Sequence, residues 1–485
     1  MKNKILFTIP FFLFLIFYVY TLSKRTSLLS DRDFYYHWHL AKFKVKEKLT
    51  PQHKLFIFKD GKIVNGIGRR KWYDFKIKDG ISVAKFPIPW NAPSGIYKAV
   101  VWHPSQKERE KFLPRFFYIK RRIPKEVKFP LNAINWENTK PMQKVRIPLP
   151  DGKKTDWKGI YEWLKILKMD TLLYLAGQTA YFGRSLPFDF PWIENNLKFL
   201  GKIVDETKKR KFRIGAWVVC YFCVGKRDEN LGYKWAIDYD VKNDRMKKTR
   251  GISIGDRKRI RDIIKVLKQM DSFNLDFLGL DYIRPVQGGY ELVDEFIDEM
   301  DVIFPAHLKT KKERMLYLAR QIHKERNFAL EDLWNWWRAH RVSQIIVEIK
   351  ENLNTSKPLW AFVLSWAVGH QHGQDPAMFQ DAGIDFFTVM LYECDSEQFE
   401  KILKQWKNYG VDKFNLIVGN QVDYNVHQFV EDTPQEFARR IREAKKVFKA
   451  KGIFVNDFSR AFWGRKGDYS AFEWLISIHP EVVKK

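Results

Sequence analysis

The sequence has little cysteine: only Cys220, Cys223 and Cys394 occur among 485 residues. Three thiols cannot form the disulfide framework of a small secreted scaffold. Cys220 and Cys223 have the spacing of a redox pair, but the segment around them has the pattern of a strand, in which residues i and i+3 point to opposite faces and lie about 10 Å apart. A disulfide needs Cα atoms within about 7 Å, so we predict two buried thiols.

Acidic residues are scarce relative to basic ones, with 57 Asp and Glu against 86 Lys and Arg and a net charge of +29. Such a charge bears on partners and solubility rather than on fold. Nucleic acid, anionic lipid and acidic polysaccharide would all suit it, and a solvated lysine-rich surface is the simplest interpretation. The sequence has no zinc-ligand spacing, Walker loop or Lys/Arg-Gly-Phe signature, which argues against nucleic acid and gives no indication of a cofactor.

Aromatic residues are abundant, at 16% of the chain with 18 Trp. Aromatic side chains fill hydrophobic cores, and their faces also stack on the apolar faces of sugars. The overall composition, 45% hydrophobic and 29% charged, is that of a globular protein and excludes disorder.

The N-terminus carries an uncharged, mostly apolar run of 18 residues, Ile5–Leu22, preceded by Lys2 and Lys4. This length is just enough to span a bilayer. No small-x-small cleavage site follows the run, so residues 1–30 are predicted to be an uncleaved signal anchor. The protein is therefore expected to be membrane-anchored and extracytoplasmic, in the cell envelope.

Residues 31–123 contain short β-like runs separated by the turn signals KDGK, KDGI and APSG, which predict a small antiparallel sandwich. Within it, PWNAPSGIYKAVVW resembles the penultimate-strand pattern of bacterial immunoglobulin-like modules. This domain is expected to be all-β and immunoglobulin-like.

Residues 124–485 alternate between apolar strands and amphipathic helices, the pattern of an α/β (β/α)₈ TIM barrel. The alternative is a doubly wound open sheet, which the absence of a Gly-rich loop after the first strand disfavours. The segment between the fourth and fifth strands is long and is expected to build part of a cleft wall. The predicted strands are Asn132–Trp136, Thr171–Leu175, Ile214–Tyr221, Phe277–Ile283, Leu359–Ser365, Phe386–Tyr392, Asn415–Gly419 and Ile453–Asn456.

Three segments of this domain resemble a group of glycoside-hydrolase-like barrels, the putative glycosyl hydrolases of the family-10-like group. LDFLGLDYIRP is similar to their fourth-strand motif Asp-Gly-x-x-Leu-Asp-Tyr-Ile-Arg-Tyr-Pro, although Phe277-Leu278 replaces Asp-Gly and Pro285 directly follows Arg284. WNWWRAHRVSQIIVEIKENL resembles their Trp-x-x-Trp-Arg helix, and GHQHGQDPAMFQDAGIDFFTVMLYE resembles their passage through the sixth strand. The resemblance implies action on a polysaccharide, with some relatives acting on bacterial envelope glycans.

Asp281 is the first catalytic candidate, because alternation along the fourth strand puts it on the same inward face as Phe277. A salt bridge to Arg284 is the alternative role. Glycoside hydrolysis needs a second carboxylate, and we predict Glu393 after the sixth strand, with Asp423, Asp457 and Glu137 as alternates. Arg284 is expected to keep Asp281 ionised as nucleophile or base, and Glu393 is expected to be the acid.

Several rim residues are predicted to bind the substrate, because barrel active sites lie where the strands end. Aromatic rings there would stack on sugars, and each is equally compatible with a core position. His370 and His372 form a His-x-His that follows the fifth strand, and we expect bonds to sugar hydroxyls or a structural role rather than a metal site. The predicted substrate-binding residues are Trp136, Glu137, Tyr282, Arg284, Trp366, His370, His372, Tyr392, Gln421, Asp423, Asp457 and Trp463.

The sequence thus predicts a glycosidase acting on a polysaccharide, either a cell-envelope or an acidic glycan, without cofactor, metal or nucleic acid. The alternative is a catalytically silent barrel that binds glycan or acts as a scaffold in the envelope, because a fold alone does not establish activity.

Overall fold

The structure is a computed structural model that describes residues 25–137, 144–181, 194–227, 229–286, 288–392, 394–422, 433–464 and 466–479. The chain forms two compact units that divide between Arg121 and Arg122. Within the described residues, no helix has the length and apolar character needed to cross a membrane. The apolar run Ile5–Leu22, predicted as an anchor, lies outside the described residues.

The first unit contains two main β-sheets whose buried faces share one core, and a short pair of strands, Thr26–Ser27 and Phe112–Leu113. Rings from both sheets meet there, with Phe43 lying 5.3 Å and Phe86 lying 6.5 Å from Phe117 between ring centroids. The predicted sandwich is therefore present, and its likeness to immunoglobulin modules stays a prediction. One sheet has the order Leu29–Ser30, Leu40–Val45, Ile81–Pro87, Lys76–Lys78, and the other Phe34–Tyr35, Arg115–Ile119, Gly95–Trp102, Lys54–Lys59, Lys62–Ile63, with Tyr73–Asp74 also on Lys54–Lys59.

Eight parallel strands of the second unit pair in series, from the second through the first and eighth to the third. The third strand also pairs with the second, which closes the series into a barrel. Closure confirms the predicted (β/α)₈ architecture and shows that the open-sheet alternative is wrong. The barrel strands are β1 Leu131–Trp136, β2 Thr171–Tyr181, β3 Arg213–Gly225, β4 Phe277–Asp281, β5 Leu359–Leu364, β6 Phe386–Met390, β7 Leu416–Gln421 and β8 Gly452–Asn456.

Amphipathic helices surround the barrel, and an inserted group of three helices fills the long segment between β4 and β5. The helices are α1 Gly159–Ile166, α2 Glu194–Lys209, α3 Arg257–Asp271, α4 Val293–Met300, α5 Lys311–His323, α6 Phe328–Leu353, α7 Pro376–Ala382, α8 Ser396–Tyr409, α9 Pro434–Phe448, α10 Phe458–Trp463 and α11 Ala471–Ile476.

Trp360 on β5 lies inside the barrel, as does Trp217 on β3, and is fully buried. Its indole occupies the space that two glycines on neighbouring strands leave open. A Cβ atom at Gly279 on β4 would lie 2.3 Å from the ring, and one at Gly215 on β3 would lie 2.7 Å from it. The Trp360 ring therefore fills the part of the barrel interior that Gly215 and Gly279, which have no side chains, leave empty.

Cys220, Cys223 and Cys394 are buried and form no disulfide, which confirms the prediction of buried thiols at Cys220 and Cys223. Cys220 and Cys223 lie on β3, where their thiols approach different backbone carbonyls, those of Val218 and Lys226. The Cys-Tyr-Phe-Cys sequence is therefore part of a barrel strand rather than a redox pair.

Candidate active site

At the end of β1, Asn135 and the predicted site residue Trp136 point to opposite sides of the barrel wall. Leu131 and Ala133 lie in the barrel interior, so alternation turns Asn135 inward and Trp136 outward. Trp136 is completely buried against Tyr174 and Phe458. The ring of Trp136 therefore takes the core position that was the alternative to sugar stacking, in the layer between strands and helices.

A row of polar side chains crosses the barrel mouth from β3 to β7. The indole N–H of Trp217 donates to Asn135 Oδ1 at 2.9 Å, and Asn135 Nδ2 donates to Asn456 Oδ1 at 2.6 Å. Asn456 in turn donates to Gln421 Oε1 at 3.1 Å. These bonds fix the orientation of the amides and satisfy polar groups that burial would otherwise leave unpaired.

Glu137 and Asp457 lie at the ends of the first and last strands, which are neighbours in the closed barrel. The backbone N–H of Glu137 donates to Asp457 Oδ1 at 2.9 Å, and the same carboxylate oxygen caps α10 through the Ser459 amide at 3.0 Å. Asn135 Nδ2 also lies 3.4 Å from Glu137 Oε1. Residues 320 positions apart in sequence are thus held together.

Asp281 ends β4 on its inward face. Phe277, Gly279 and Asp281 alternate along the strand on one side, and Phe277 lies in the barrel core. The side chain is buried, with 8% of its surface exposed. One carboxylate oxygen accepts the Tyr282 backbone N–H at 2.7 Å. Tyr282 itself has a φ of 48°, a left-handed conformation that turns the chain sharply after Asp281.

Burial dominates the proton affinity of all three carboxyls. It raises the pKa of Glu137 to about 8, with repulsion from Asp457 and Asp281 adding to the effect against the attraction of Arg460. Burial likewise raises the pKa of Asp457. It raises the pKa of Asp281 to about 6, although the Tyr282 amide and then Arg284 act in the opposite direction. Arg284 was expected to keep Asp281 ionised, and its charge does lower the pKa of Asp281, but burial has the larger effect and the net shift is upward.

Replacing Glu137 with Gln is expected to stabilise the protein increasingly as the pH rises. A carboxyl whose pKa is higher in the folded than in the unfolded state makes its full contribution to the stability of the fold below its unfolded-state pKa of about 4.3. That contribution is lost as the pH rises through the folded-state pKa. For Glu137 the loss extends to about pH 8. Gln cannot ionise, so the melting temperature of Glu137→Gln should exceed that of the wild type near pH 8 more than near about pH 5.

The matched control is Glu397→Gln, whose carboxyl is exposed and paired with Lys401 on the surface. This variant should show no such increase with pH. A difference between Glu137→Gln and wild type that stays constant across the range would contradict the raised pKa.

Tyr282 and Arg284 form one side of the mouth. The Tyr282 ring stacks on Phe222 of β3 at 4.8 Å between centroids and 12° between planes. Arg284 lies 4.8 Å from the centroid of the Tyr282 ring, and Arg250 lies 5.0 Å from that of Phe222. A cation beside each ring of a stacked pair favours a fixed ring orientation, so Tyr282 is held in place beside Asp281.

A polar cavity of about 410 Å³ lies beside β4 and the inserted helices. His372 lines it, and burial followed by the charges of Arg284 and Arg338 lowers the pKa of His372 to about 3, so the ring is neutral. The long segment between β4 and β5 supplies most of its wall. The lining residues are Asp238, Val286, Gly288, Tyr290, Ile322, His323, Arg326, Glu331, Trp334, Asn335, Arg338, Gln371 and His372.

The two histidines of the His-x-His face different surroundings. His370 Nε2 lies 2.8 Å from Asp375 Oδ2, and Asp375 caps the N-terminus of α7. The His370 ring also packs edge-on against Tyr409. His370 is therefore held by the structural core of this loop, while His372 faces the cavity. In the described part of the chain, no group of three His, Cys, Asp or Glu residues could hold a metal ion.

The remaining predicted site residues are spread over the rim. Gln421 belongs to the amide row, and Tyr392 packs on the barrel core after β6. Trp463 ends α10 with 42% of its surface exposed. Trp366 begins the turn after β5, but its side chain, like Glu393 and Asp423, lies outside the described residues.

Two basic residues escaped the sequence prediction. Arg460 lies on α10 and lowers the pKa of Glu137, and Arg338 lies on α6 at the cavity wall. The sequence contained an indication of each. Arg460 follows Asp457 by three residues, close to one helical turn, and Arg338 is the arginine of the helix that resembles the Trp-x-x-Trp-Arg motif.

No protein-family model matches the chain, and no curated protein matches its sequence. Solved structures that resemble it include the cell-surface multi-modular chitinase ChiW from Paenibacillus sp., with 10% identity and a TM-score of 0.33 over 95% of this chain and 41% of that chain. The family 42 β-galactosidase Gan42B from G. stearothermophilus matches with 10% identity and a TM-score of 0.46 over 75% of this chain and 58% of that one. The family 5 xyloglucanase from Paenibacillus pabuli matches with 9% identity and a TM-score of 0.39 over 72% and 98%.

This chain therefore spans less than two thirds of the chitinase and of the β-galactosidase. The barrel itself is established by its strand pairings, and matches at this level add nothing about substrate or mechanism.

Proposed function

We propose that this protein is a glycoside hydrolase that cleaves a polysaccharide at the mouth of its barrel. The observation that carries the proposal is the set of carboxyls Glu137, Asp281 and Asp457 at the carboxyl ends of the strands. The two aspartates are buried and Glu137 is half-buried, and both aspartates act electrostatically on Glu137. That end is where TIM barrels bind and transform substrates. The likeness of the β4 motif to the family-10-like glycosyl hydrolases agrees with this assignment.

The proposed roles follow from proton affinity. Glu137 keeps its proton at neutral pH and would donate it to the glycosidic oxygen as the bond breaks. Asp281 has a lower pKa and would be mainly ionised, so it would act as nucleophile in a retaining reaction or as base in an inverting one. The anomeric configuration of the product distinguishes the two. Asp457 would orient Glu137 through its bond to the Glu137 backbone.

The proposed pair predicts a bell-shaped dependence of kcat/KM on pH. Activity should rise as Asp281 loses its proton around pH 6 and fall as Glu137 loses its own around pH 8. The measurement is reducing-sugar release from a panel of neutral and acidic polysaccharides, across this pH range. Glu137→Gln should remove the alkaline limb from the small activity that remains.

Binding of a polysaccharide without release of reducing ends, by a folded protein over the whole pH range, would favour the silent glycan-binding barrel instead. An alkaline limb that survives in Glu137→Gln would assign the acid to another group, with Glu393 and Asp423 the next to test.

The substrate is proposed to be an acidic or cell-envelope glycan. The chain carries a net charge of +29, and Arg284 and Arg460 act electrostatically on the carboxyl cluster. A polymer with carboxylate groups would be attracted by such charges, and salt would weaken this attraction because exposed charges are screened beyond about 8 to 10 Å. The sandwich, proposed to be immunoglobulin-like, would hold the barrel near this substrate.

The protein is further proposed to be anchored in the envelope membrane through Ile5–Leu22, with its body outside the cytoplasm. The uncharged 18-residue run and the missing cleavage site support this. The intact mass of protein extracted from native membranes should include residues 1–22. A mature form that starts at Ser23 or later would contradict the anchor.

A further inference from the structure

The outer face of the six-stranded sheet in the first unit is unusually apolar. Alternation along each strand points one set of side chains into the core and the other set outward, and cross-strand partners share a face. The outward set forms three rows across the sheet: Phe34, Tyr118 and Ile96, then Phe116, Lys98, Phe58 and Ile63, then Val100 and Phe56. These residues, with Trp102 and the adjoining Trp72, are called the aromatic face below.

Most of this face is open to solvent. The exposed fractions are 63% for Ile96, 57% for Phe116 and 43% for Tyr118. Trp72 and Trp102 extend the patch beside Phe56, at 6.3 and 5.9 Å between ring centroids. A groove of about 580 Å³ lies on it, between the rings of Phe58 and Phe116. Single exposed apolar residues are common on soluble proteins, but a contiguous patch of this kind marks an interaction surface.

Basic side chains accompany the aromatic face. Lys98 lies between Phe116 and Phe58 in the same row, and Lys120 lies 3.4 Å above the ring of Phe34. Arg109 lies 6.0 Å from Trp102. Between Arg25 and Arg121 the chain has 22 Lys and Arg against 8 Asp and Glu, so this stretch alone carries a net charge of +14.

We propose that the aromatic face is a membrane-docking surface that lies against the interfacial region of an anionic lipid bilayer. Trp, Tyr and Phe are favoured at that depth, because their rings have an apolar body that inserts between lipid chains, and for Trp and Tyr a polar edge that stays near the headgroups. Lys and Arg beside them meet the anionic headgroups while their stems remain in the apolar layer. The aromatic face has both components on one flat sheet.

The position of the apolar run favours a membrane over other occupants. Ile5–Leu22 ends four residues before Thr26, where the first strand of this unit begins. Four extended residues span at most about 14 Å, so a chain anchored by that run would keep the sandwich at the bilayer surface. The inference therefore rests on the anchor proposed above, and on no assumption about catalysis.

The opposite sheet gives an internal comparison. Its outward side chains include Lys42 opposite Lys85, and Lys44 opposite Val83. Such a lysine face would be attracted to anionic lipid but has few apolar groups to insert. Because docking that removes apolar surface from water gains the hydrophobic contribution as well as the electrostatic one, the aromatic face is the one expected to touch lipid.

The test uses the full chain reconstituted in vesicles of phosphatidylcholine with phosphatidylglycerol. A spin label is attached at Phe116→Cys on the aromatic face and, as the matched control, at Lys44→Cys on the lysine face. The three native cysteines are buried, so labelling reports the introduced site. The label at position 116 should be several-fold more accessible to oxygen, which concentrates in the bilayer, than to a water-soluble nickel complex. The label at position 44 should show the reverse.

A second variant separates insertion from accidental proximity. Adding Ile96→Asp to Phe116→Cys introduces a charge at an exposed position. The label at position 116 should then become accessible to the water-soluble nickel complex, while the melting temperature stays that of the wild type. Vesicles of phosphatidylcholine alone should reduce the difference between the two labels, because the lysines then lose their anionic partners.

Five outcomes would overturn the proposal. Equal accessibility of both labels to the nickel complex would show that the aromatic face is not docked. A label at position 44 that is protected from the nickel complex, with an accessible label at position 116, would assign docking to the lysine face. A label at position 116 shielded from both relaxants would indicate protein contact, such as a second copy. Release of the protein by an alkaline carbonate wash would contradict both the proposed anchor and the proposed docking. Retention of the protein, with the label at position 116 accessible to the nickel complex, would contradict only the docking.

Discussion

Asp281→Asn is expected to lower kcat for polysaccharide hydrolysis by at least about a hundredfold while leaving the fold intact. Asp281 is the inward-facing carboxyl at the end of β4, and its removal takes away the only negative charge proposed to attack or to activate water. Asn has nearly the same shape and still accepts the Tyr282 amide through its side-chain oxygen. The measurement is initial rate against substrate concentration, with thermal melting as the check on folding.

The matched control is Asp412→Asn, an exposed carboxyl on the turn after α8, which should leave kcat and KM unchanged. Near-normal turnover by a folded Asp281→Asn protein would refute the central assignment. If Asp281→Asn is inactive but Glu137→Gln retains full activity, Asp281 stays in the site and the acid is sought at Glu393 or Asp423.

Trp360→Ala is expected to produce the largest loss of stability, about 3 to 5 kcal/mol in the free energy of unfolding of the barrel. The indole fills the interior against Gly215 and Gly279, neither of which has a side chain, so truncation leaves a large cavity on that side. Chemical denaturation followed by far-ultraviolet circular dichroism, which reports the barrel helices, measures the effect.

Trp463→Ala is the control for this prediction, since that ring is 42% exposed and its removal should change stability by well under about 1 kcal/mol. A small effect of Trp360→Ala would show that the barrel collapses around the lost ring. Gly279→Ala should also destabilise, because the added methyl group meets the same indole.

The barrel was predictable from the sequence because its signal is periodic and repeated. Eight apolar runs alternate with helices whose buried stripes recur at helical spacing, and each predicted strand overlaps an observed one. Alternation also put Asp281 on the inward side of β4, because Leu278 and Leu280 face the surrounding helices.

The site itself depends on contacts that the sequence does not reveal. Asn135 and Trp136 are both fully buried, so hydrophobicity along β1 could not tell which of them faces the mouth. Glu137 was only an alternate, since its raised pKa comes from burial and from carboxyls on β8 and β4 that are distant in sequence. The membrane-facing role proposed for the sandwich likewise depends on cross-strand register, which places Phe116, Lys98 and Phe58 in one row.

The bond between the Glu137 amide and Asp457 has a consequence for the order in which the protein becomes competent during biosynthesis. Ribosomes make the chain from the N-terminus, so Glu137 is synthesised 320 residues before Asp457. Until β8 docks beside β1, Glu137 lacks both its backbone partner and the neighbouring charge that raises its pKa. A nascent or prematurely terminated chain that ends before Gly452 would therefore carry an ordinary, ionised Glu137 at neutral pH and no working acid. The acid proposed for glycoside hydrolysis would then form only after β8 has docked beside β1.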